Sequence, residues 1–271
     1  MASGIDLNRL LEISLSAGRE IMAVYGQELT VEAKSDDSPL TIADQRSHRV
    51  IDAGLKSAYP EIPVLSEEGS EIPYEERKNW KRFWLVDPLD GTKEFIKQNG
   101  EFTVNIALIE GNYPVLGVIY VPATDVFYFG EDNEGAYKLE DASAERFENV
   151  DVLREKSISL SAEKTGDITR IVTSRSHMSA ETHEFIERLN NEGQSIERVS
   201  AGSSLKFCLV AEGQADYYPR FAPTMEWDTA AGQAIVEAAG GLVQCAKDQS
   251  RFSYNQESLT NGWFLAAGKN S

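Results

Sequence analysis

The sequence is poor in cysteine, in positive charge and in long apolar runs, and each shortage removes a class of protein. Of its 271 residues only two are cysteines, Cys208 and Cys245. They are too few and too far apart for a disulfide scaffold or a zinc ribbon, and both sit among apolar neighbours, so two buried thiols are expected. No apolar run reaches the roughly 18 residues that a membrane helix needs, and no signal-peptide pattern is present. A cytoplasmic protein is therefore expected, with peripheral contact at the cytoplasmic face of the inner membrane left open. Lys and Arg number 26 against 44 Asp and Glu, a net charge of −18. That balance excludes a general nucleic-acid surface, and it means that a small anion can be held only by locally gathered cations. No linker divides the chain, whose length suits one unit, residues 1–271, of two packed lobes, about 1–150 and about 151–271. Monomer and homodimer are equally compatible with it.

What the chain does have is apolar runs that end in carboxylates. Phe83 to Val86 stops at Asp87, with Asp90 three residues on, and reads as a buried strand ending at a site. Pro88 restricts the turn and Gly91 lets the backbone pass close by, so Asp87 and Asp90 can converge on a hard cation. Lys93 to Lys97 then reads as a helix start, whose free N–H groups favour a phosphate oxygen. Taken alone, Asp-Gly is equally a capped surface turn. Ile62 to Gly69 repeats the pattern, a short apolar strand ending at Glu67 and Glu68, of which only one can point inward while the chain stays extended. Asp44, three residues after Thr41, fits a capping box.

Around these stretches the chain alternates helix and strand patterns. Leu7, Leu10, Leu11, Ile21, Met22 and Tyr25 have helical spacing behind a capping Asp6, and a second helix is expected from Ile42 to about Ala58. From Phe102 to Tyr137, β-rich runs separated by turn residues predict an antiparallel meander. Residues 139–168 are polar and irregular, and read as an excursion between lobes. A strand at Arg170 to Thr173 leads into Ser174-Arg-Ser-His177, a polar, partly cationic end suited to an anion, and then a helix from Ala180 to Asn190. Gly202-Ser-Ser opens another helix containing Lys206, either as a plain cap or as a phosphate cradle. Ala215 to Arg220 reads as a strand that places an aromatic pair, Tyr217 and Tyr218, near Arg220. Asp228 precedes an Ala-rich helix running to Ala239, which it could cap. Gly241 to Cys245 and Trp263 to Ala267 are two last strands.

Glu67 with Gly69, Asp87-Pro-Leu-Asp-Gly-Thr92 and Trp227-Asp-Thr-Ala-Ala-Gly232, spread in this order over nearly the whole chain, resemble the signature of the inositol monophosphatase superfamily. The resemblance implies a mixed α/β chain in the layered αβαβα sugar-phosphatase fold. It also implies a magnesium-dependent, lithium-sensitive phosphomonoesterase using two or three Mg²⁺. By position, Glu67, Asp87, the Leu89 carbonyl, Asp90 and Asp228 are implied as metal ligands. All are oxygen donors, as Mg²⁺ prefers, and no His/Cys set recommends zinc. Asp44 is implied to orient Thr92, which accepts the proton of the attacking water. Gly91, Thr92, Ser174, His177, Gly202, Ser203, Ser204, Lys206, Arg220 and Asp228 are implied substrate contacts. Ser174-Arg-Ser-His177, Gly202 to Phe207 and Tyr218-Pro-Arg220 are most similar to the 3′(2′),5′-bisphosphate nucleotidase branch. The implied substrate is adenosine 3′,5′-bisphosphate, a by-product of sulfur assimilation, or its sulfated relative 3′-phosphoadenylyl sulfate. An inositol or sugar phosphate is the alternative within the family, and a non-catalytic nucleotide and metal sensor the alternative outside it.

Overall fold

A computed structural model describes residues 4–26, 32–33, 39–40, 42–144, 146–174 and 178–271. Helix α1 (Leu7–Met22) begins at Asp6, whose carboxylate accepts the Asn8 N–H at 3.0 Å. The short strands β1 (Glu32–Ala33) and β2 (Pro39–Leu40) pair before α2 (Ile42–Ala58). Seven strands then form one sheet in chain order. They are β3 (Val64–Ser66), β4 (Arg82–Asp90), β5 (Thr103–Glu110), β6 (Tyr113–Val121), β7 (Val126–Glu131), β8 (Gly135–Leu139) and β9 (Ile158–Ser159). β3 and β4 are parallel and the rest of the ladder is antiparallel. Short helices α3 (Tyr74–Arg77), α4 (Thr92–Ile96) and α5 (Val150–Lys156) lie in the connections.

A second sheet contains β10 (Ile168–Thr173), β11 (Ser195–Ser200), β12 (Tyr217–Arg220), β13 (Leu242–Cys245) and β14 (Phe264–Ala267), in the order β11-β10-β12-β14-β13. Helices α6 (Ala180–Asn191), α7 (Leu205–Ala211) and α8 (Ala230–Ala238) complete the chain.

Strand periodicity explains the layering. Successive residues of a strand face opposite sides, so Trp84, Val86, Val104, Ile106 and Leu108 pack on α1 and α2. Their neighbours Phe83, Leu85, Ala107 and Ile109 face α7, α8 and the second sheet. On that sheet's far side, Ile171 packs on Phe185, Ile186 and Leu189 of α6. Three cores therefore separate five layers, αβαβα. The middle layer is thin because α8 is built from small residues. A Cβ added at Gly117 of β6 would come within 2.4 Å of the Ala231 carbonyl, and one at Gly130 of β7 within 2.8 Å of the Ile235 Cα. Side chains at either glycine would push α8 off the sheet.

Three sequence expectations are corrected, and one strand, β11, was not expected. Strand β4 does not stop at Asp87 but runs to Asp90, with its pairing to β5 broken between Asp87 and Asp90; a proline inside a strand has no N–H for the ladder, and such a strand continues past it as an irregularity. Residues 139–168 are not a bare excursion. Asn149 caps α5, Ala142 and Leu153 enter the first core, and β9 edges the large sheet. Strand β11 carried no apolar alternation, being an edge strand whose residues are all exposed or half-buried. Cys208 is buried, but Cys245 is only half-buried. Among the described residues no helix is long and apolar enough to cross a membrane.

Candidate active site

Parallel β3 ends beside Val86 of β4, the Glu67 N–H donating to the Val86 carbonyl at 3.1 Å, and β4 continues past it. Asp87 lies on the same face as Phe83 and Leu85, so alternation aims it at the middle layer, where it is buried. Its Oδ1 accepts the Leu89 N–H at 3.0 Å, and the Ser47 hydroxyl of α2 donates to the Pro88 carbonyl at 2.7 Å. These bonds hold the turn between the two aspartates. Gly91 follows at φ +90°, where an added Cβ would lie 3.1 Å from the Glu101 carbonyl and 3.2 Å from the Ser203 Cβ. Both the conformation and the space therefore require glycine. Thr92 starts α4 and its hydroxyl donates to the Leu89 carbonyl at 3.4 Å. Asp44 is buried in the first turn of α2.

These carboxylates act on one another. Burial, followed by the charges of Glu67, Asp90, Asp228 and Asp44, raises the Asp87 pKa well above the ordinary range. Burial and the Asp90 charge likewise raise Asp228, with the Met225 N–H and Arg220 pulling in the opposite direction. Glu68 instead acts on His48 of α2, whose Nδ1 lies 2.9 Å from the Ser66 hydroxyl. The two consecutive glutamates thus divide, and Glu67 is the one that joins the cluster.

Asp228 lies in a single turn of 3₁₀ helix, Glu226–Asp228, and its Oδ2 accepts the Met225 N–H at 2.8 Å. It reaches back along the chain and does not cap α8. The helix-opening serines also do something other than cap. Ser204 makes no capping bond to α7; its hydroxyl and that of Ser203 each lie 2.8 Å from Asp90 Oδ2, donating to it at the end of β4. Gly202 gives its N–H to Glu101 at 2.8 Å.

A cavity of about 150 Å³ opens beside Asp90 and Asp228, and Ser174, Ser203, Lys206, Tyr218 and Arg220 line it. Lys206 is buried, donates to the Ser203 carbonyl at 2.6 Å and stands 5.4 Å above the Tyr218 ring centroid. Burial lowers its pKa to about 8, Asp90 opposing and Arg220 adding to the shift. Arg220 donates to the Pro223 carbonyl at 3.1 Å, and its Nε is buried with no hydrogen-bond partner among the described residues. The aromatic pair does not act together. Tyr218 faces the cavity side, edge-on to Phe207 and Phe264, whereas Tyr217 turns to Phe185 in the outer core, as strand alternation dictates.

The structure thus brings Glu67, Asp87, Asp90, Asp228 and Asp44 within electrostatic reach of one another, and sets Ser174, Lys206 and Arg220 beside two of them. His177, with Arg175, Ser176, Ser38 and Thr41, lies outside the described residues. The donor set fits a hard divalent cation: it is all oxygen, and the leading charges on buried Asp87 are carboxylates. Among the described residues no three His, Cys, Asp or Glu side chains are gathered closely enough to hold a metal ion by themselves. Sequence reasoning missed Thr103, Asn105 and Glu101, which support the loop at 202–204. Their signal was faint, polar residues at every second position entering an otherwise apolar strand.

The sequence profile of the inositol monophosphatase family matches residues 7–268. The chain belongs to this family. It is 45% identical over 260 residues to the 3′(2′),5′-bisphosphate nucleotidase CysQ of Salmonella typhimurium, spanning 95% of this chain and 98% of that one. To the protein of the same name in Escherichia coli strain K12 it is 46% identical over 239 residues, 88% of this chain and 89% of the other. The crystal structure of CysQ from Bacteroides thetaiotaomicron superposes with a TM-score of 0.88 at 45% identity, over 99% of both chains.

Proposed function

We propose that the protein is a Mg²⁺-dependent 3′(2′),5′-bisphosphate nucleotidase that hydrolyses adenosine 3′,5′-bisphosphate to AMP and phosphate, with 3′-phosphoadenylyl sulfate as a second substrate. The observation that carries the reading is the cleft in which half-buried Asp90 and Asp228 meet Lys206 and Arg220. A substrate with one phosphate needs the carboxylate side, through a cation; a second phosphate gives the two basic residues their use. The names of relatives 45–46% identical to the chain support the same reaction.

Glu67, Asp87, the Leu89 carbonyl, Asp90 and Asp228 would hold two or three Mg²⁺. When bound, Mg²⁺ supplies charge neutralisation at the phosphoryl and leaving oxygens and a lowered pKa for the attacking water. Asp44 orients the Thr92 hydroxyl, which takes the proton of that water as it passes its own to the Asp44 carboxylate. Gly91, Ser174 and the loop from Gly202 to Ser204 border the phosphate that is cleaved, and His177 is assigned with Lys206 and Arg220 to the phosphate that is not. Lys206 and the free Nε of Arg220 hold the phosphate that is not cleaved, by charge-assisted bonds. No residue of the cluster is placed as a covalent phosphoryl acceptor. In this reading the enzyme works in the cytoplasm.

The test is turnover of adenosine 3′,5′-bisphosphate against inositol 1-phosphate in Mg²⁺. A clear preference for the nucleotide is expected. Preference for the inositol ester would transfer the chain to the family's other substrates, and binding of nucleotide without phosphate release would make it a sensor.

A further inference from the structure

Asp90 is implied as a metal ligand, yet one of its two oxygens is already engaged. Its Oδ2 lies 2.8 Å from both the Ser203 and the Ser204 hydroxyls. Among the described residues its Oδ1 accepts no hydrogen bond. Both serines stand just before α7, and each is held from β5 of the seven-stranded sheet. The Asn105 amide donates to the Ser204 oxygen at 2.9 Å, and the Thr103 and Ser203 hydroxyls lie 2.6 Å apart. Thr103 and Asn105 are both buried and stand opposite Asp90 and Asp87 in the β4–β5 register. An N–H arriving at the Ser204 oxygen commits that hydroxyl's proton outward, where its two acceptors are Asp90 Oδ2 and the Asp228 carbonyl at 3.0 Å. Ser203, at φ +51°, is meanwhile pinned through its carbonyl by Lys206.

We infer that Asn105 is a positioning residue for the metal site. Acting through Ser204, it loads one Asp90 oxygen with a hydrogen bond, so that Asp90 presents the other as a single-oxygen ligand. The Asn105 Oδ1 strengthens the assignment: it is buried, has no hydrogen-bond partner among the described residues, and belongs to a side chain aimed at the cluster. A buried amide oxygen left without a donor is costly, and a hydrated dication beside Asp87 and Asp90 would supply one. Outer partners that orient a ligand commonly change metal affinity by about 10–100-fold.

The inference rests on the metal reading above, and a measurement without substrate separates the two. Mn²⁺ is titrated calorimetrically into the chelator-treated wild type, Asn105→Ala, Ser204→Ala and the double variant, each checked for a cooperative melt. Asn105→Ala and Ser204→Ala are each expected to weaken Mn²⁺ binding by about tenfold, and the double variant by about the same tenfold, since they act as one unit. The Mg²⁺ needed for half-maximal turnover should rise in parallel, and in Asn105→Ala, which alters no substrate contact, KM for the nucleotide at saturating Mg²⁺ should be unchanged. If Asn105→Ala melts early, Ser204→Ala, which removes only a hydroxyl, decides alone. Unchanged Mn²⁺ affinity in the single variants, losses that multiply, or a change confined to KM overturns the positioning role while leaving the metal site standing. A wild type that takes up no divalent cation overturns both.

Discussion

The acidic wall of the cleft and its cationic wall are assembled by different routes. Glu67 follows β3, and Asp87 and Asp90 lie in the last residues of β4, the adjacent parallel strand of the same sheet. Lys206 and Arg220 come from a helix and a strand of the other sheet, and meet only because Phe207 and Tyr218 pack together in the middle layer. The acidic wall is concentrated: burial first, and then the charges of its neighbouring carboxylates, raise the Asp87 pKa. The cationic wall is sparse and specific, and in a chain of net charge −18 it is what makes an anionic substrate acceptable. If the division is correct, damage to the first wall destroys turnover of every substrate, and damage to the second destroys the choice among substrates.

The largest effect should follow Asp90→Asn, which keeps size and removes charge from the cation site. Turnover at limiting Mg²⁺ is expected to fall by at least about a hundredfold, the upper end of what even an outer-shell change does, while the melting temperature in chelator stays close to wild type. Near-normal turnover by the folded variant would remove Asp90 from the acidic wall. Next come Asp44→Asn and Thr92→Ala, each expected to lower kcat by about a hundredfold as a general-base pair should. Their combination should be little worse than either alone, because the residues act as a unit. Multiplying losses, with intact metal binding, would reduce Asp44 to a helix-capping role.

The same contrast explains what was legible in the sequence. The acidic wall could be read because its ligands sit in contiguous motifs where an apolar run meets carboxylates, and because helix and strand periods locate the layers on either side. The capped helix α1, the meander and the Ala-rich α8 were legible for that reason. The cationic wall depended on side-chain direction. Tyr217 and Tyr218 are neighbours in sequence and face different cores, and the serines that looked like a helix cap turn to Asp90 instead. Edge strands β9 and β11 were invisible, since an edge strand exposed on its surface needs no apolar alternation.

Arg220→Ala sharpens the division with a smaller effect. One charge-assisted contact contributes about 1.5–3 kcal/mol, so KM for adenosine 3′,5′-bisphosphate should rise by at least about tenfold. Slow hydrolysis of 3′-AMP, which lacks the second phosphate, should change little. Equal losses on both would mean that Arg220 supports the acidic wall through Asp228, on which its charge acts.

The smallest effect is the most discriminating, because two readouts must move in opposite directions. Burial holds the Lys206 pKa near 8 against an ordinary 10.5, so the free enzyme loses this charge as the pH rises through that value. If the ammonium binds the uncleaved phosphate, KM for the bisphosphate should rise about twofold between about pH 7 and about pH 8, as the charged fraction falls to roughly half. Stability should go the other way. A cation whose folded pKa is depressed leaves the unfolded chain binding more protons between about 8 and 10.5, so the Lys206 contribution to stability improves as pH climbs through that window. Lys206→Met should start with a raised KM at neutral pH, show no rise from pH 7 to 8, and lack the alkaline gain in melting temperature relative to wild type. A wild-type KM that is flat across this range, with the stability gain still present, would confine Lys206 to propping the Ser203 carbonyl against Tyr218 and leave Arg220 alone on the cationic wall.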